Sequence, residues 1–310
     1  MNKKIKVLLL VLMVTLTTSC TKYIKEDNKS VVYEMTGQTL ASNILCKPVN
    51  EDLYNFYKEH ESSMEVKLDD LSECKEYNPT KTGYKGLWET LLVKPIAWLI
   101  LKLGEFVKNY GLSVMIMSLI IRALMIPLSK KSMAQSENMK KAQPEMAKIE
   151  KKYGNKTDQA SMMAKSQEMM MVYKKYDINP VSGCLTAFIQ LPLFFAFLEA
   201  INRVPAIFED HLFGMSLGMT PMVGLTKGNY VYIALIAIII LSTYITFRFT
   251  MSQNQGAQAD QMKFMMTFML IMISFASLSL PTAIALYWIV NNVFAIIQNV
   301  IVKKSIEKRK

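Results

Sequence analysis

Five apolar stretches, at 109–128, 181–202, 230–249, 264–280 and 282–302, approach or reach the length needed to cross a hydrocarbon core. A core of about 30 Å takes roughly 20 helical residues. Inside lipid every backbone donor and acceptor must be met within the protein, so these stretches are expected to be helices. The fold class is therefore an all-α membrane protein with five transmembrane helices. Its 310 residues alone would also allow two soluble domains. Composition argues against that: 51% of residues are hydrophobic and the mean hydropathy is +0.19, on the membrane side of soluble usage. The last two spans are separated only by Pro281, which suits a tight turn into a helix start.

Charge sets the orientation. Lys130, Lys131, Lys140, Lys141, Lys148, Lys151, Lys152, Lys156, Lys165, Lys174 and Lys175 all fall in 129–180, which is therefore expected in the cytoplasm. Alternation puts 250–263 and the basic tail 303–310 there too, and the loop 203–229, with Glu209 and Asp210, outside. The net charge of +11 fits this bias better than nucleic-acid binding.

The cytoplasmic stretch has its own pattern. Met139, Ala142, Met146, Ile149 and Tyr153 share one helical face, as do Met162, Ser166, Met169, Tyr173 and Tyr176 beyond the turn at Gly154-Asn155. A helical hairpin is expected, with Pro144 starting or kinking the first arm. The methionine stripe serves as the seam between the arms or as a surface for varied apolar partners.

At the start, Lys3, Lys4 and Lys6 precede an apolar run from Val7 to Leu16, the pattern of a signal peptide over 1–19. Thr17-Thr18-Ser19-Cys20 resembles a bacterial lipobox, which makes Cys20 a lipidation site; an uncleaved signal anchor is the alternative. Residues 20–85 are polar and acidic and form a small extracytoplasmic segment, marginal in size for a core without a staple. A disulfide between Cys46 and Cys74 is expected there, whereas Cys184, in an apolar run, is a packing residue. Residues 86–108 carry Lys94, Pro95, Lys102 and Glu105 among apolar positions, with Trp88 and Trp98. An amphipathic helix on the outer membrane surface fits, with a sixth span as the alternative.

Arg122 carries the most information, because it lies inside the first span. From Arg122 to Lys130 a helix rises roughly 12 Å, too far for the side chain to reach water unaided. A buried arginine costs about 2.5–3.5 kcal/mol or more, so a wet cavity or an acidic partner is expected. Glu199 is the acidic residue within the spans, yet it lies toward the opposite end. A water-filled groove open to the cytoplasm is the preferred reading, with an ion pair as the alternative. Gln190, Tyr287, Asn291 and Asn292 can line it or bond between helices, and Asn292 fits the second role better.

Several separated motifs then share one resemblance. Ile121-Arg122-Ala123-Leu124-Met125-Ile126-Pro127-Leu128, Gln143-Pro144-Glu145, Asn179-Pro180-Val181-Ser182-Gly183-Cys184-Leu185 with Ile189-Gln190-Leu191-Pro192, and Pro281-Thr282-Ala283-Ile284-Ala285-Leu286-Tyr287-Trp288 look like the YidC membrane-protein insertases, in order and interval. The resemblance runs from about Gly86 to Lys304. It implies a five-span core with a groove closed outside and open to cytoplasm and lipid, in which Arg122 attracts acidic groups on a substrate's exported tail. It implies substrate-groove residues Arg122, Gln190, Tyr287, Trp288 and Asn291. The resemblance also implies as partners nascent membrane proteins, the Sec translocon, the ribosome with the signal recognition particle pathway, and the lipid bilayer. The chain departs at Ala283, where the family commonly has glycine, and at Thr186, where it has proline.

No enzymatic role is expected. The histidines, His60 and His211, fall outside the spans, and the sequence shows no nucleotide motif, metal cluster or cofactor signature. The energy of insertion then comes from burial of the substrate's own apolar span and the membrane potential. An anion transporter or channel is the rival reading, since a lone buried arginine can bind an anion. It lacks an internal repeat or a relay of buried charges. A factor that only holds helices during assembly is a third.

Overall fold

Prolines mark where the helices start and break. The computed structural model describes residues 21–154, 156, 158–179, 192–253 and 259–307. The signal peptide, Cys20, Cys184, Thr186, Gln190 and the first half of the 181–202 span lie outside these. Pro95 has no N–H to donate, and just before it the chain forms a π turn, Glu89–Val93, leading into α2 (Lys94–Val107). The helix carrying Arg122, α3 (Tyr110–Leu124), stops one residue before Met125; α4 (Ile126–Tyr153) then starts with Pro127 in its first turn. The sequence suggested an unbroken run to Leu128. Pro127 has no N–H to return to the carbonyl four residues earlier, Ala123, and the break at Met125 falls within that turn. α4 passes through Pro144, so of the two roles expected for this proline, starting the first arm or kinking it, the first is excluded.

The described residues form two compact units. One takes the chain up to Ile120, the stretch to Ile239 that includes α6 (Pro192–Asn202), and Ser274–Val290. Its N-terminal segment is ordered by short-range rules. Asp27 and Asn28 take positive φ, as a tight hairpin turn requires, joining β1 (Lys25–Glu26) to β2 (Lys29–Ser30) with Glu26 opposite Lys29. β3 (Val32–Tyr33) pairs with β4 (Gln38–Thr39). Asn50 caps α1 (Glu51–Glu59), its Oδ1 accepting from Leu53 N at 2.9 Å. Ile24, Leu40, Ala41, Ile44, Leu53, Tyr57 and Leu68 make the core. A disulfide joins Cys46 to Cys74. Loop 203–229 contains α7 (Pro205–Glu209), the hairpin of β5 (His211–Leu212) with β6 (Met215–Ser216), and α8 (Pro221–Thr226).

The other unit takes Ile121 onward through α4 and α5 (Gln159–Lys175), then Ile240–Ile273 and the chain from Asn291. α4 and α5 run antiparallel, tied by Lys152–Glu168 and Lys175–Glu145 pairs, each 2.5 Å. Ala142, Ile149, Tyr153, Val172 and Ile178 fill the seam, with Met139, Met146, Met169, Tyr173 and Tyr176 around it. Most of the apolar stripe is thus seam; Met162 is exposed.

Three further helices are α9 (Val231–Gln253), α10 (Ala259–Ser279) and α11 (Thr282–Glu307). Stretches of 19 residues in α9 (Val231–Phe249) and 20 in α11 (Thr282–Ile301) are long and apolar enough to cross a membrane. Tyr110–Leu124, Pro192–Asn202 and Lys263–Ser279 are shorter apolar helices. Ile233, Leu241, Phe268, Met272 and Ile297 are more than half exposed, an apolar exterior suited to lipid.

Candidate functional site

Arg122 sits in the last turn of α3, where the helix dipole favours a cation. Its Nε donates to Asn291 Oδ1 at 2.5 Å, across from α11. Arg122 is half-buried and Asn291 buried. An amide carries no charge, so this contact orients the guanidinium without cancelling it. The neighbouring Asn292 bonds between helices instead: its Nδ2 donates to Thr243 Oγ1 at 2.9 Å and Ser242 Oγ at 3.3 Å on α9. Two of the expected groove residues, Arg122 and Asn291, are thus in contact.

Tyr287 and Trp288 belong to the first unit. The Tyr287 ring stacks on Phe197, centroids 4.2 Å apart, and is almost wholly buried. Trp288 meets Phe194 edge to face at 5.8 Å. Both side chains take part in aromatic packing against α6. Tyr287 and Asn291, four residues apart, share one face of α11.

A second constellation, which the sequence reading missed, is built on Arg203. This arginine is 1% exposed. Its Nη1 meets Glu199 Oε1 at 2.9 Å and Glu89 Oε2 at 3.0 Å, while its Nε donates to the Asn43 carbonyl at 2.7 Å. Trp88 Nε1 donates to Glu199 Oε2 at 2.8 Å, so Trp88 is a buried bonding partner of the cluster. Lys94 Nζ reaches Glu89 Oε1 at 3.3 Å and the carbonyls of Thr82 and Gly83. Two cations and two carboxylates balance, as buried charges must. Burial raises the Glu89 carboxyl pKa, but Arg203 and Lys94 outweigh it and hold the group below its ordinary value. Burial lowers that of Lys94 despite Glu89. Glu199, weighed from sequence as an ion-pair partner for Arg122, is engaged here with Arg203 and Trp88. The local cue was the four-residue spacing of Glu199 and Arg203 on one helix face.

Two apolar helices long enough to cross a bilayer, an apolar exterior and an arginine in a shorter apolar helix, bonded to one of those two, fit a membrane protein of the helical class. Residues 102–309 match the family described as 60Kd inner membrane protein. Membrane protein insertase YidC 2 of Bacillus anthracis is 35% identical over 232 residues, 74% of this chain and 87% of that one. Membrane protein insertase YidC of Oceanobacillus iheyensis is 34% identical, covering 77% of this chain and 93% of its own. A solved structure, described as an active YidC insertase with its first transmembrane domain resolved, is similar at a TM-score of 0.51 and 25% identity. It covers 71% of this chain, which spans about half (47%) of the solved one. The chain belongs to the YidC family of membrane protein insertases.

Proposed function

We propose that this protein inserts nascent membrane proteins into the bacterial cytoplasmic membrane and helps them fold, through a hydrophilic groove holding Arg122. The observation that carries the reading is an arginine inside an apolar helix, oriented by a neutral amide, Asn291, from another. Moving a polar tail through hydrocarbon exposes groups that cost several kcal/mol each when unsatisfied. A wet groove reaching partway shortens that dry path. A cation at its inner end draws acidic residues of the tail, more strongly in low dielectric than in bulk water. The substrate's apolar span then slides along the helices into lipid, and its burial supplies the driving force.

In this reading five spans cross the bilayer, with α4 and α5, the basic hairpin, in the cytoplasm and the N-terminal segment outside, anchored through Cys20. Gln190, Tyr287 and Trp288 complete the groove, and the Sec translocon, the ribosome and the signal recognition particle pathway deliver substrates. The test is Arg122→Ala in purified vesicles, with paired substrates differing only in tail charge. Insertion of the acidic-tail substrate slows several-fold more than that of the neutral one, and Arg122→Lys is milder because it keeps the charge. Equal slowing of both substrates overturns the groove-charge mechanism. Anion flux through the same vesicles, lost in Arg122→Ala, favours a transporter instead.

A further inference from the structure

The N-terminal segment is held to the rest of its unit by its backbone. Leu45 N donates to the Arg203 carbonyl at 2.8 Å, and Arg203 Nε returns a bond to Asn43 O at 2.7 Å. Val49 N and Asn50 N both donate to Glu209 Oε1, at 2.8 and 3.0 Å. Thr220 N donates to Thr36 O at 2.8 Å, and Lys227 Nζ to Met35 O at 2.8 Å. The segment is thus tied at Arg203, Glu209, Thr220 and Lys227, along the whole loop that follows α6. Gly37 lies at the Thr220 attachment with φ +74°; a Cβ there would come within 2.5 Å of Thr220 Oγ1 and 2.7 Å of Val223 Cγ2.

Arg203 is where three elements converge. One guanidinium binds the segment through Asn43, the π turn ahead of α2 through Glu89, and the end of α6 through Glu199. Val93, Ala97, Ile100, Ile201, Val204 and Ile207 of the same unit are fully buried too. Ser113 of α3 is buried as well, its Oγ donating to the Ile100 carbonyl of α2 at 2.8 Å. Residues 21–101, which supply the segment, Glu89 and Lys94, precede the stretch that matches the family, while Glu199 and Arg203 fall inside it.

We propose that residues 21–85 are a built-in cap and that Arg203 is the positioning residue that bolts this cap and the α2 helix onto the end of α6, sealing that face of the protein against water. The sidedness of the seal rests on the orientation proposed above; the lock itself does not. The planar fork suits the task, since it meets two carboxylates and a carbonyl at once where an ammonium meets fewer in fixed directions. The cap binds through main-chain groups, so the lock depends on its path more than on its side chains.

The experiment places a reporter in the sealed layer. Ser113→Cys, in a Cys184→Ala background, is exposed to a membrane-impermeant maleimide in sealed vesicles of both orientations. With the lock intact the thiol is inert. Arg203→Met and, separately, Gly37→Val raise its labelling rate at least tenfold, and Arg203→Lys stays within about threefold of the parent because charge pairing survives. Gly37→Val leaves the charges untouched, so it tests the cap even if Arg203→Met fails to fold. Unchanged labelling in Gly37→Val overturns the cap, and unchanged labelling in a folded Arg203→Met overturns the bolt. Labelling of Arg203→Lys as fast as Arg203→Met overturns charge pairing as its basis. Labelling that rises only from the cytoplasmic side refutes the orientation, and with it the insertion reading, while leaving the lock standing.

Discussion

Arg122 Nε and Asn291 Oδ1 lie 2.5 Å apart although 169 residues separate them in the chain. A hydrogen bond to a charged group contributes about 1.5–3 kcal/mol, enough to fix one guanidinium orientation. Asn291→Leu is therefore expected to slow insertion of acidic-tail substrates by up to about tenfold, the charge remaining but wandering. Asn291→Asp, nearly isosteric, should slow it further, because the new carboxylate competes with the tail for Arg122. Single-turnover insertion with tail-charge pairs checks both, and an Asn291→Asp variant as fast as the parent rules out tail attraction.

Two glutamates in the cap region respond to pH with opposite sign. Glu89 feels burial, which raises its pKa, but Arg203 and Lys94 win and hold it low. The unfolded chain then binds the proton more tightly, so the stability Glu89 contributes is present above the ordinary carboxyl value of about 4.3 and is lost as pH falls through the lower folded value. Glu209 is raised, chiefly by burial, with the Asn50 and Val49 N–H groups opposing. Its contribution declines as pH climbs from the ordinary value through the raised one. Melting temperature against pH separates them: Glu89→Gln flattens the acid limb, whereas Glu209→Gln, which keeps an acceptor for the two N–H groups, steepens it.

In the hairpin, seam and surface contribute unequally. Glu145 accepts from Lys175 and Tyr176, and Glu168 from Lys152 and Tyr153, two matching clamps across the arms. These pairs are solvated, so Glu145→Gln should change hairpin stability little, and less still at high salt. Ile149 is buried in the seam, and Ile149→Ala should cost about 2–3 kcal/mol, the low end for such a truncation at a site that can relax. Amide exchange across α4 and α5 reads the difference; equal acceleration in both variants contradicts it.

Local pattern made the hairpin legible and put an arginine inside an apolar helix. The period of Met139, Ala142, Met146, Ile149 and Tyr153 is the seam itself, and a charge inside an apolar run is conspicuous whatever surrounds it. Cys46 and Cys74 were readable because the pair falls in a polar, acidic segment too small to hold a core without a staple. Arg203 was hidden for the converse reason. It follows an apolar run directly, where a basic residue looks like the first charge of a loop, and its partners Asn43 and Glu89 lie far away in sequence. The charges of α2 looked like the wet side of a surface helix, yet Lys94 is buried on Glu89. Long-range charge complementarity leaves no periodic trace, so only the folded chain displays it.

The turn between α2 and α3 offers a test of how tightly α2 is seated. Gly104 lies under the Tyr110 ring, and a Cβ at Gly104 would overlap Tyr110 Cδ1 and Cε1. A ring cannot withdraw as a flexible chain end can, and Tyr110 is fastened at its backbone, where N–H donates to Asp210 Oδ2 at 2.6 Å. Gly104→Ala therefore forces the helix and the ring apart, at about 1–3 kcal/mol for overpacking, outweighing the gain alanine normally brings to a helix interior. The double variant Gly104→Ala/Tyr110→Ala vacates the ring and should recover most of the loss. A melting temperature that rises in the single variant shows instead that α2 can shift freely, and a rigid seat for it is then excluded.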